Sequence, residues 1–157
     1  MHKRIIASVQ QETAPSGQDW FHVESFEAVE ITSEDAAHQI ESALVPTRVA
    51  GWRAAEPGKQ TIRLLFAHPQ RLRRIWLSFV EPLTERTQEY VLRASTDDGR
   101  TLREIVRQQW NFSPQGSTCE TEDHRVDLLA VTILELSIIP DITGGNARAS
   151  LAELRLA

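Results

Sequence analysis

The chain has 157 residues, of which 41% are hydrophobic and 25% are charged, and this composition excludes wholesale disorder and fibrous repeats. Its length suits one domain with one hydrophobic core, and no stretch of the sequence approaches the run of about 18 apolar residues that spans a bilayer. The formal net charge of −5 argues against a protein dedicated to nucleic acids, so we expect neither nucleic-acid binding nor membrane insertion.

Residues 1–20 are predicted to form an N-terminal arm that precedes the folded body of residues 21–157. The arm ends in a loop in which Pro15 and Gly17 interrupt any regular element. The first residues are basic, but the apolar run that follows them is too short for the core of a signal peptide. Cys119 is the single cysteine and excludes an intrachain disulfide, which favours a cytoplasmic location.

The body opens with a predicted strand and a predicted helix. Val29 and Ile31 alternate with acidic residues, as the residues of a half-buried strand do. The segment 33–44 then predicts the one short helix of the chain, because Ser33 is a good N-cap and acidic residues follow it in the first turn. Pro46 is expected to end this helix.

From Thr61 onward the sequence alternates between apolar and polar residues with a period of two, which predicts β-strands. The predicted strands cover residues 61–66, 75–79, 88–92, 101–109, 131–139 and 149–156. The dipeptide Asp98-Gly99 predicts a tight hairpin turn, because it supplies the positive φ angles that such turns need. Residues 111–124 are predicted to be a long loop. Strands at this spacing, with almost no helix, predict an all-β antiparallel sandwich or barrel.

A resemblance to a known family is carried by the tryptophan loop 51–55, the segment 58–66 with Pro69 and residues 74–79, the hairpin 90–99 and the closing segment 149–157. In order and in residue type they resemble the discoidin, or factor five/eight type C, branch of the galactose-binding-like superfamily, over residues 23–157. The resemblance implies an antiparallel jelly-roll β-sandwich with one short helix near the N-terminus. It also implies a module that binds carbohydrates, phospholipid head groups or protein partners through loops at one end.

Many members of this superfamily have Asp-Gly ahead of the tryptophan, where it helps to enclose a calcium ion, but residues 43–51 of this chain lack it. Calcium takes six or more oxygen ligands. Ser33, Asp35 and Glu153 supply only part of such a set. We therefore predict no metal and no other cofactor, with a structural calcium ion as the weaker alternative.

Two stretches of the chain combine aromatic rings with planar hydrogen-bonding groups. A sugar ring has an apolar C–H face, under which an aromatic ring stacks, and hydroxyl edges that Arg, Asn and Gln side chains bind. The predicted ligand-binding residues are Trp52, Arg53, Arg107, Gln109, Trp110 and Asn111. The competing interpretation is that both tryptophans close the open ends of the sandwich. Trp20 and Trp76 are assigned to packing.

The sequence carries no familiar catalytic pattern. Its histidines are widely spaced, with no pair at metal-ligand spacing, and it has no Gly-x-Ser-x-Gly motif. Glu120, Glu122 and Asp123 are interpreted as solvated acidic loop residues. We therefore predict that the chain is not an enzyme, and only a carboxylate pair with shifted pKa values in a deep polar pocket would favour catalysis.

Two functions fit these residues. The first is a non-catalytic binding module that recognises a glycan or a small polar ligand through loops at one end of the sandwich. The alternative is a protein-interaction or assembly domain that uses the same end and has no sugar ligand. The basic cluster of Arg71, Arg73 and Arg74 is assigned to neither function, because strand alternation predicts solvated side chains there.

Overall fold

The computed structural model describes residues 13–46 and 48–157. In chain order its elements are one turn of 3₁₀ helix (Val23–Ser25), strand β1 (Phe26–Ile31), helix α1 (Glu41–Leu44), and strands β2 (Trp52–Arg53), β3 (Gln60–Val80), β4 (Arg86–Ser95), β5 (Arg103–Phe112), β6 (Cys119–Ile139), β7 (Ser150–Leu151) and β8 (Glu153–Leu156). All pairings between these strands are antiparallel. Among the described residues, no helix has the length and apolar character needed to cross a membrane.

Two long strands, β3 and β6, each contribute to both layers of a sandwich. Residues 60–65 of β3 pair with residues 133–138 of β6, and residues 74–80 of β3 pair with residues 119–125 of β6. The first half of β3 and the second half of β6 lie in one layer, in which the strand order is β1, β3, β6, β4, β5. In the second layer β8 pairs with the other half of β3. The predicted all-β antiparallel jelly-roll sandwich is thereby confirmed.

The sequence-based prediction of separate strands at 61–66 and 75–79 is wrong, because both lie in the single strand β3. The pairing register shifts between Leu65 and Gln70, so the strand bends instead of ending. Pro69 lies within this shifted stretch. A proline has no N–H to donate to a neighbouring strand, and an irregular stretch tolerates that loss better than a regular ladder does.

The predicted helix over 33–44 shrinks to the four residues of α1, Glu41–Leu44. The hydroxyl of Ser33 does not cap a helix. It accepts a hydrogen bond from the N–H of Ala55 at 3.0 Å and donates one to the Gln60 Oε1 at 2.7 Å. The polar residue that looked like an N-cap therefore joins two segments that are distant in sequence, and the chain between it and α1 forms a turn.

The prediction of a long loop over 111–124 is also wrong, since β6 begins at Cys119 and only residues 113–118 connect it to β5. Glu120 is 0% exposed and lies between the two layers. The side chains of Glu120 and Glu122 face β4 and β5, where Gln88 and Gln108 donate hydrogen bonds to them at 3.2 and 3.4 Å. Inward-facing carboxylates remove the apolar alternation by which a strand is recognised.

Burial, with Glu122 as a smaller cause, raises the pKa of Glu120 to about 8. The neighbouring carboxylate repels a second negative charge, and a hydrogen bond between the two carboxyl groups favours the neutral form of Glu120. The Oε2 of Glu120 has no hydrogen-bond partner among the other described groups. Neutral Glu120 is therefore the form that this interior accommodates at physiological pH.

The apolar core fills the space between the two layers. Its largest fully buried side chains include Trp52, Phe79, Tyr90 and Phe112. Trp76 is also buried, as its assignment to packing predicts. The half-buried Trp20 lies on the Arg74 guanidinium, 5.0 Å from the ring centroid, and its indole N–H donates to a backbone carbonyl.

The basic cluster near the bend of β3 is partly neutralised by β6. Arg71 pairs with Asp127 at 2.8 Å, and Arg74 makes a two-contact pair with Asp123 at 2.6 and 2.8 Å. Arg73 is exposed and forms no ion pair with the described residues. The cluster thus follows the predicted solvated arrangement at Arg71 and Arg73, which are exposed, whereas Arg74 is buried.

Glu120→Gln is expected to reduce the pH dependence of stability. The pKa of Glu120 is 4.5 in the unfolded chain and about 8 in the folded protein. Its contribution to the free energy of unfolding is therefore complete below pH 4.5 and is lost as the pH rises through about 8. Glutamine mimics the neutral acid, so the variant should be more stable than the wild type at about pH 9 by several kcal/mol, one pKa unit being worth about 1.4 kcal/mol. Urea unfolding from about pH 5 to about pH 9 measures this difference.

Glu27→Gln, at an exposed position of β1, is the matched control and should leave the pH dependence as it is in the wild type. An unfolding free energy that follows the same pH curve in Glu120→Gln and in the wild type would show that Glu120 is ionised in the folded protein.

Candidate functional site

The short sheet of β2 and β7 separates two neighbouring residues onto opposite sides. Trp52 is paired with Leu151, and Arg53 is paired with Ser150. Residues directly opposite each other share a face of the sheet, and successive residues of a strand alternate. Trp52 and Leu151 are buried in the core, whereas the Arg53 side chain is exposed.

Trp52 was predicted to be a platform for a sugar ring, and the structure corrects this. The residue is only 1% exposed, and its indole N–H donates to the carbonyl of Ser33 at 3.1 Å. The pairing register turns the ring toward the core, so it offers no free aromatic face. Trp52 contributes to the fold and to the floor of a groove, and Arg53 is the residue of this pair that points outward.

A groove of about 410 Å³ lies above this short sheet, at the end of the sandwich where β3 leads into β4. We call it the loop-end groove, and its lining includes Val49, Arg53, Leu83, Thr84, Arg148 and Ser150. Val49 is 91% exposed and Leu83 is 83% exposed, the highest values among the large hydrophobic residues that the structure describes. We call these two exposed apolar side chains the rims of the groove, and Arg53, Thr84, Arg148 and Ser150 are polar residues of its lining.

A second groove of about 360 Å³ adjoins the first, sharing Arg53, Glu81, Thr84 and Arg148 with it. It extends along residues 144–147, in the loop between β6 and β7. The volumes of both grooves fall within the size range of small-molecule sites.

Two arginines give the loop-end groove its charge. Arg53 and Arg148 are exposed, and neither forms an ion pair with any residue that the structure describes. Glu81 lies in the same groove, but its Oε1 is paired at 2.8 Å with the guanidinium of Arg86, a buried side chain. The buried guanidinium of Arg86 thus neutralises the carboxylate of Glu81. The positive charges of Arg53 and Arg148 are left without a paired carboxylate in the groove lining.

Asp35 is an acidic residue beside the groove lining, and its backbone N–H donates to the carbonyl of Arg53 at 2.8 Å. Its pKa is lowered chiefly by the N–H of Ala37, which donates to its carboxylate, with further effects of the same sign from His38 and Arg148. The carboxylate therefore already has its own partners, and Arg148 contributes the smallest effect on it.

Arg107 and Gln109 lie on one face of β5, where both contact Glu89 of β4. Arg107 is hydrogen-bonded to Glu89 Oε1 and to Glu104, and Gln109 Nε2 donates to Glu89 Oε2 at 2.7 Å. These partners lower the pKa of Glu89, with Gln109 as the largest cause. The polar groups of both predicted ligand-binding residues are engaged within the sheet.

Trp110 and Asn111 follow on the same strand but face opposite sides. Trp110 is half-buried against the core, and its buried Nε1 has no partner among the described residues. The Oδ1 of exposed Asn111 accepts a hydrogen bond from the hydroxyl of Thr87 at 2.7 Å. No residue of β5 lines the loop-end groove, so the structure does not bring the β5 residues together with Arg53. A role of the β5 residues in binding stays a prediction.

Sequence reasoning missed Arg148, Ser150, Val49 and Leu83. The sequence does hold a signal for Arg148 and Ser150. Ala149 and Leu151 are apolar, so the alternation of the last predicted strand places Ser150 on its exposed face. Extending this strand by one residue toward the N-terminus places Arg148 on the same face. Val49 and Leu83 are apolar residues in connections, and the sequence holds nothing that places these connections next to each other.

The pair of Glu120 and Glu122 lies outside both grooves. One of its carboxyl groups has a shifted pKa, but Glu120 is fully buried and neither residue lines either groove. Within residues 13–46 and 48–157, no set of three or more His, Cys, Asp or Glu side chains is placed to hold a metal ion. Glu153, named above as a partial calcium ligand, contacts Arg155 at 3.0 Å.

No protein-family model and no curated protein matches this chain. Solved structures do. A family 32 carbohydrate-binding module, the third such module of a family 31 glycoside hydrolase from Clostridium perfringens, is 18% identical with a TM-score of 0.64, covering 87% of this chain and 93% of that one. The chain has the fold of a family 32 carbohydrate-binding module.

Two further modules of this family were solved with saccharides bound. The fifth module of a Clostridium perfringens family 89 enzyme, in complex with GalNAc-β-1,3-galactose, is 20% identical with a TM-score of 0.61, covering 82% of this chain and 93% of that one. The module of AlyQ, in complex with 4,5-unsaturated mannuronic acid, is 13% identical with a TM-score of 0.61, covering 84% of this chain and 95% of that one.

Gly51→Ala is expected to destabilise the floor of the groove more than Gly58→Ala destabilises its own loop. Gly51 and Gly58 have positive φ angles of +69° and +84°. A residue with a Cβ in this conformation lowers the free energy of unfolding by about 1 kcal/mol. At Gly51 a Cβ would also lie 2.9 Å from the Leu151 carbonyl oxygen, whereas nothing lies within 4 Å at Gly58. Relief of this contact should cost about 1–3 kcal/mol more.

Urea unfolding of the two variants measures the difference. Equal losses of stability in the two variants would contradict the prediction, because they would mean that the backbone at β2 and β7 moves apart easily enough to accommodate a Cβ at residue 51.

Proposed function

We propose that the chain is a non-catalytic carbohydrate-binding module that holds a saccharide in the loop-end groove. The observation that carries this proposal is the groove itself: exposed Arg53 and Arg148 on its floor and exposed Val49 and Leu83 on its rims. The fold supports it, because modules with this fold have been solved with saccharides bound.

The groove offers both kinds of contact that a sugar needs. The C–H face of a sugar ring is apolar and gains from contact with Val49 and Leu83, because burying apolar surface is favourable. The hydroxyl edge accepts hydrogen bonds from the guanidinium groups of Arg53 and Arg148, each of which presents five N–H donors in a fixed plane. Aliphatic rims take the place that aromatic platforms were predicted to fill.

A protein-interaction or assembly role is the competing proposal, and the two exposed hydrophobic residues are the observation in its favour. A protein partner would bury a broad surface, with Val49 and Leu83 at its centre. The concave shape of the site and the free guanidiniums between the rims fit a small polar ligand better.

The double variant Val49→Ala with Leu83→Ala is expected to weaken saccharide binding at least about tenfold. It removes several methyl and methylene groups, and each buried CH₂ is worth about 0.8 kcal/mol. Both side chains are exposed, so the stability of the fold should not change. The measurement is isothermal titration of the full chain with saccharides that bind in a glycan array.

Leu129→Ala is the matched control, since Leu129 is a 63% exposed hydrophobic residue in β6 that does not line the groove. It should leave the affinity unchanged. Absence of binding to every saccharide of the array, or equal affinity of the double variant and the wild type, would exclude the proposed site.

A further inference from the structure

We infer that the saccharide held in the loop-end groove is acidic and that its carboxylate or sulfate group is bound jointly by Arg53 and Arg148. This inference rests on the proposed function of the groove and narrows it to one class of ligand. It is carried by the direction of the two side chains, by their lack of protein partners, and by the charge around them.

The two arginines reach the same space from neighbouring strands. Arg53 is directly opposite Ser150 in the short sheet. Arg148 precedes Ser150 by two residues, and the intervening Ala149 is 0% exposed, so Arg148 and Ser150 point outward together. Both residues line the loop-end groove and also the adjoining one. A single bound group between the two grooves would therefore be within reach of both.

Many arginines of this protein are matched to carboxylates. The described ion pairs join Arg63 and Arg93 to Glu135, Arg71 to Asp127, Arg74 to Asp123, Arg86 to Glu81, Arg107 to Glu89 and Glu104, and Arg155 to Glu153. Arg53 and Arg148 form no such pair with the described residues and line two grooves together. Arg73 and Arg125 are also exposed and unpaired among the described residues, but they share only one groove, which Asp19 lines as well.

The charge of the site is opposite to the charge of the chain. The formal net charge is −5, yet Glu81 is the one acidic residue in the lining of the loop-end groove, and Arg86 neutralises it. In the adjoining groove Asp141 accepts hydrogen bonds from the N–H and the hydroxyl of Thr143. The lining of the loop-end groove thus carries two guanidinium charges that no unpaired carboxylate of that lining balances, and Asp141 adds a negative charge only to the adjoining groove.

An acidic group uses this arrangement better than a hydroxyl does. A guanidinium binds a carboxylate through two parallel hydrogen bonds, and such charge-assisted bonds are about twice as strong as those between neutral groups. A neutral sugar needs donors and acceptors in comparable number, and two adjacent cations supply donors alone. The apolar rims remain available to the C–H face of the same ring.

The inference is tested by titrating the full chain with three oligosaccharides of equal length: an oligogalacturonate, a sulfated oligogalactan and a neutral oligogalactan. At least one acidic oligosaccharide should bind at least about tenfold more tightly than the neutral one, and its affinity should fall as salt is added, because salt screens exposed charges. The two acidic arms distinguish a carboxylate from a sulfate.

Arg53→Gln and Arg148→Gln should each weaken binding of the acidic oligosaccharide at least about tenfold, the loss expected when one partner of a charge-assisted hydrogen bond is removed. Arg73→Gln is the matched control, because Arg73 is also exposed and unpaired among the described residues but lies in a different groove, beside the bend of β3. It should bind as the wild type does, and circular dichroism checks that all three variants fold.

Tight binding of the neutral oligosaccharide, with no preference for an acidic one and no effect of the two substitutions, would overturn the inference and leave the proposed function intact. Failure of all three oligosaccharides, together with no binding in the glycan array, would instead remove the proposed function.

Discussion

The pairing of β3 with β6 along both of their halves holds the two layers of the sandwich together. Each strand begins in one layer and ends in the other, so one continuous set of hydrogen bonds runs through both. The core closes between the layers, and the connections that follow Val80 and Ile139 come out at the same end of the molecule. The loop-end groove is located where these connections meet the short sheet of β2 and β7.

The site depends on the alternation of side chains along a β-strand, which places adjacent residues on opposite faces. Trp52 fills the core while Arg53 faces the groove, and Leu151 and Ser150 repeat the division on the paired strand. Any change of register by one residue would exchange these positions and place a charge in the core. The packing of the tryptophan thus fixes the direction of the arginine beside it.

Much of the fold follows from the sequence where the binary pattern is clean. The alternation in 61–66, 88–92 and 131–139 predicts extended segments that all lie within observed strands, although β3 and β6 continue beyond the predicted bounds. Asp98 and Gly99 have the positive φ angles of a tight turn, 59° and 90°. The first half of β6 escaped prediction because Glu120 and Glu122 occupy inward positions that normally hold apolar residues.

The site was less predictable than the fold. Arg53 could be named from its place beside a tryptophan in a loop, but the choice of Trp52 as the exposed member of the pair reversed the actual orientation. Arg148, Leu83 and Val49 come together through strand pairing over distances that local patterns do not reveal. The β5 residues have the right chemical types for a sugar site, yet Glu89 and Thr87 already occupy their polar groups.

Ser33 ties together the segments around the groove floor. Its carbonyl holds the indole of Trp52, and its hydroxyl joins the N–H of Ala55 to the side chain of Gln60. One residue thus immobilises the backbone on both sides of Arg53 before a ligand arrives. A preorganised floor loses little conformational entropy on binding. Selectivity in this protein would then reside in the shape of a rigid surface, and adaptation to different ligands would fall to the loops above it.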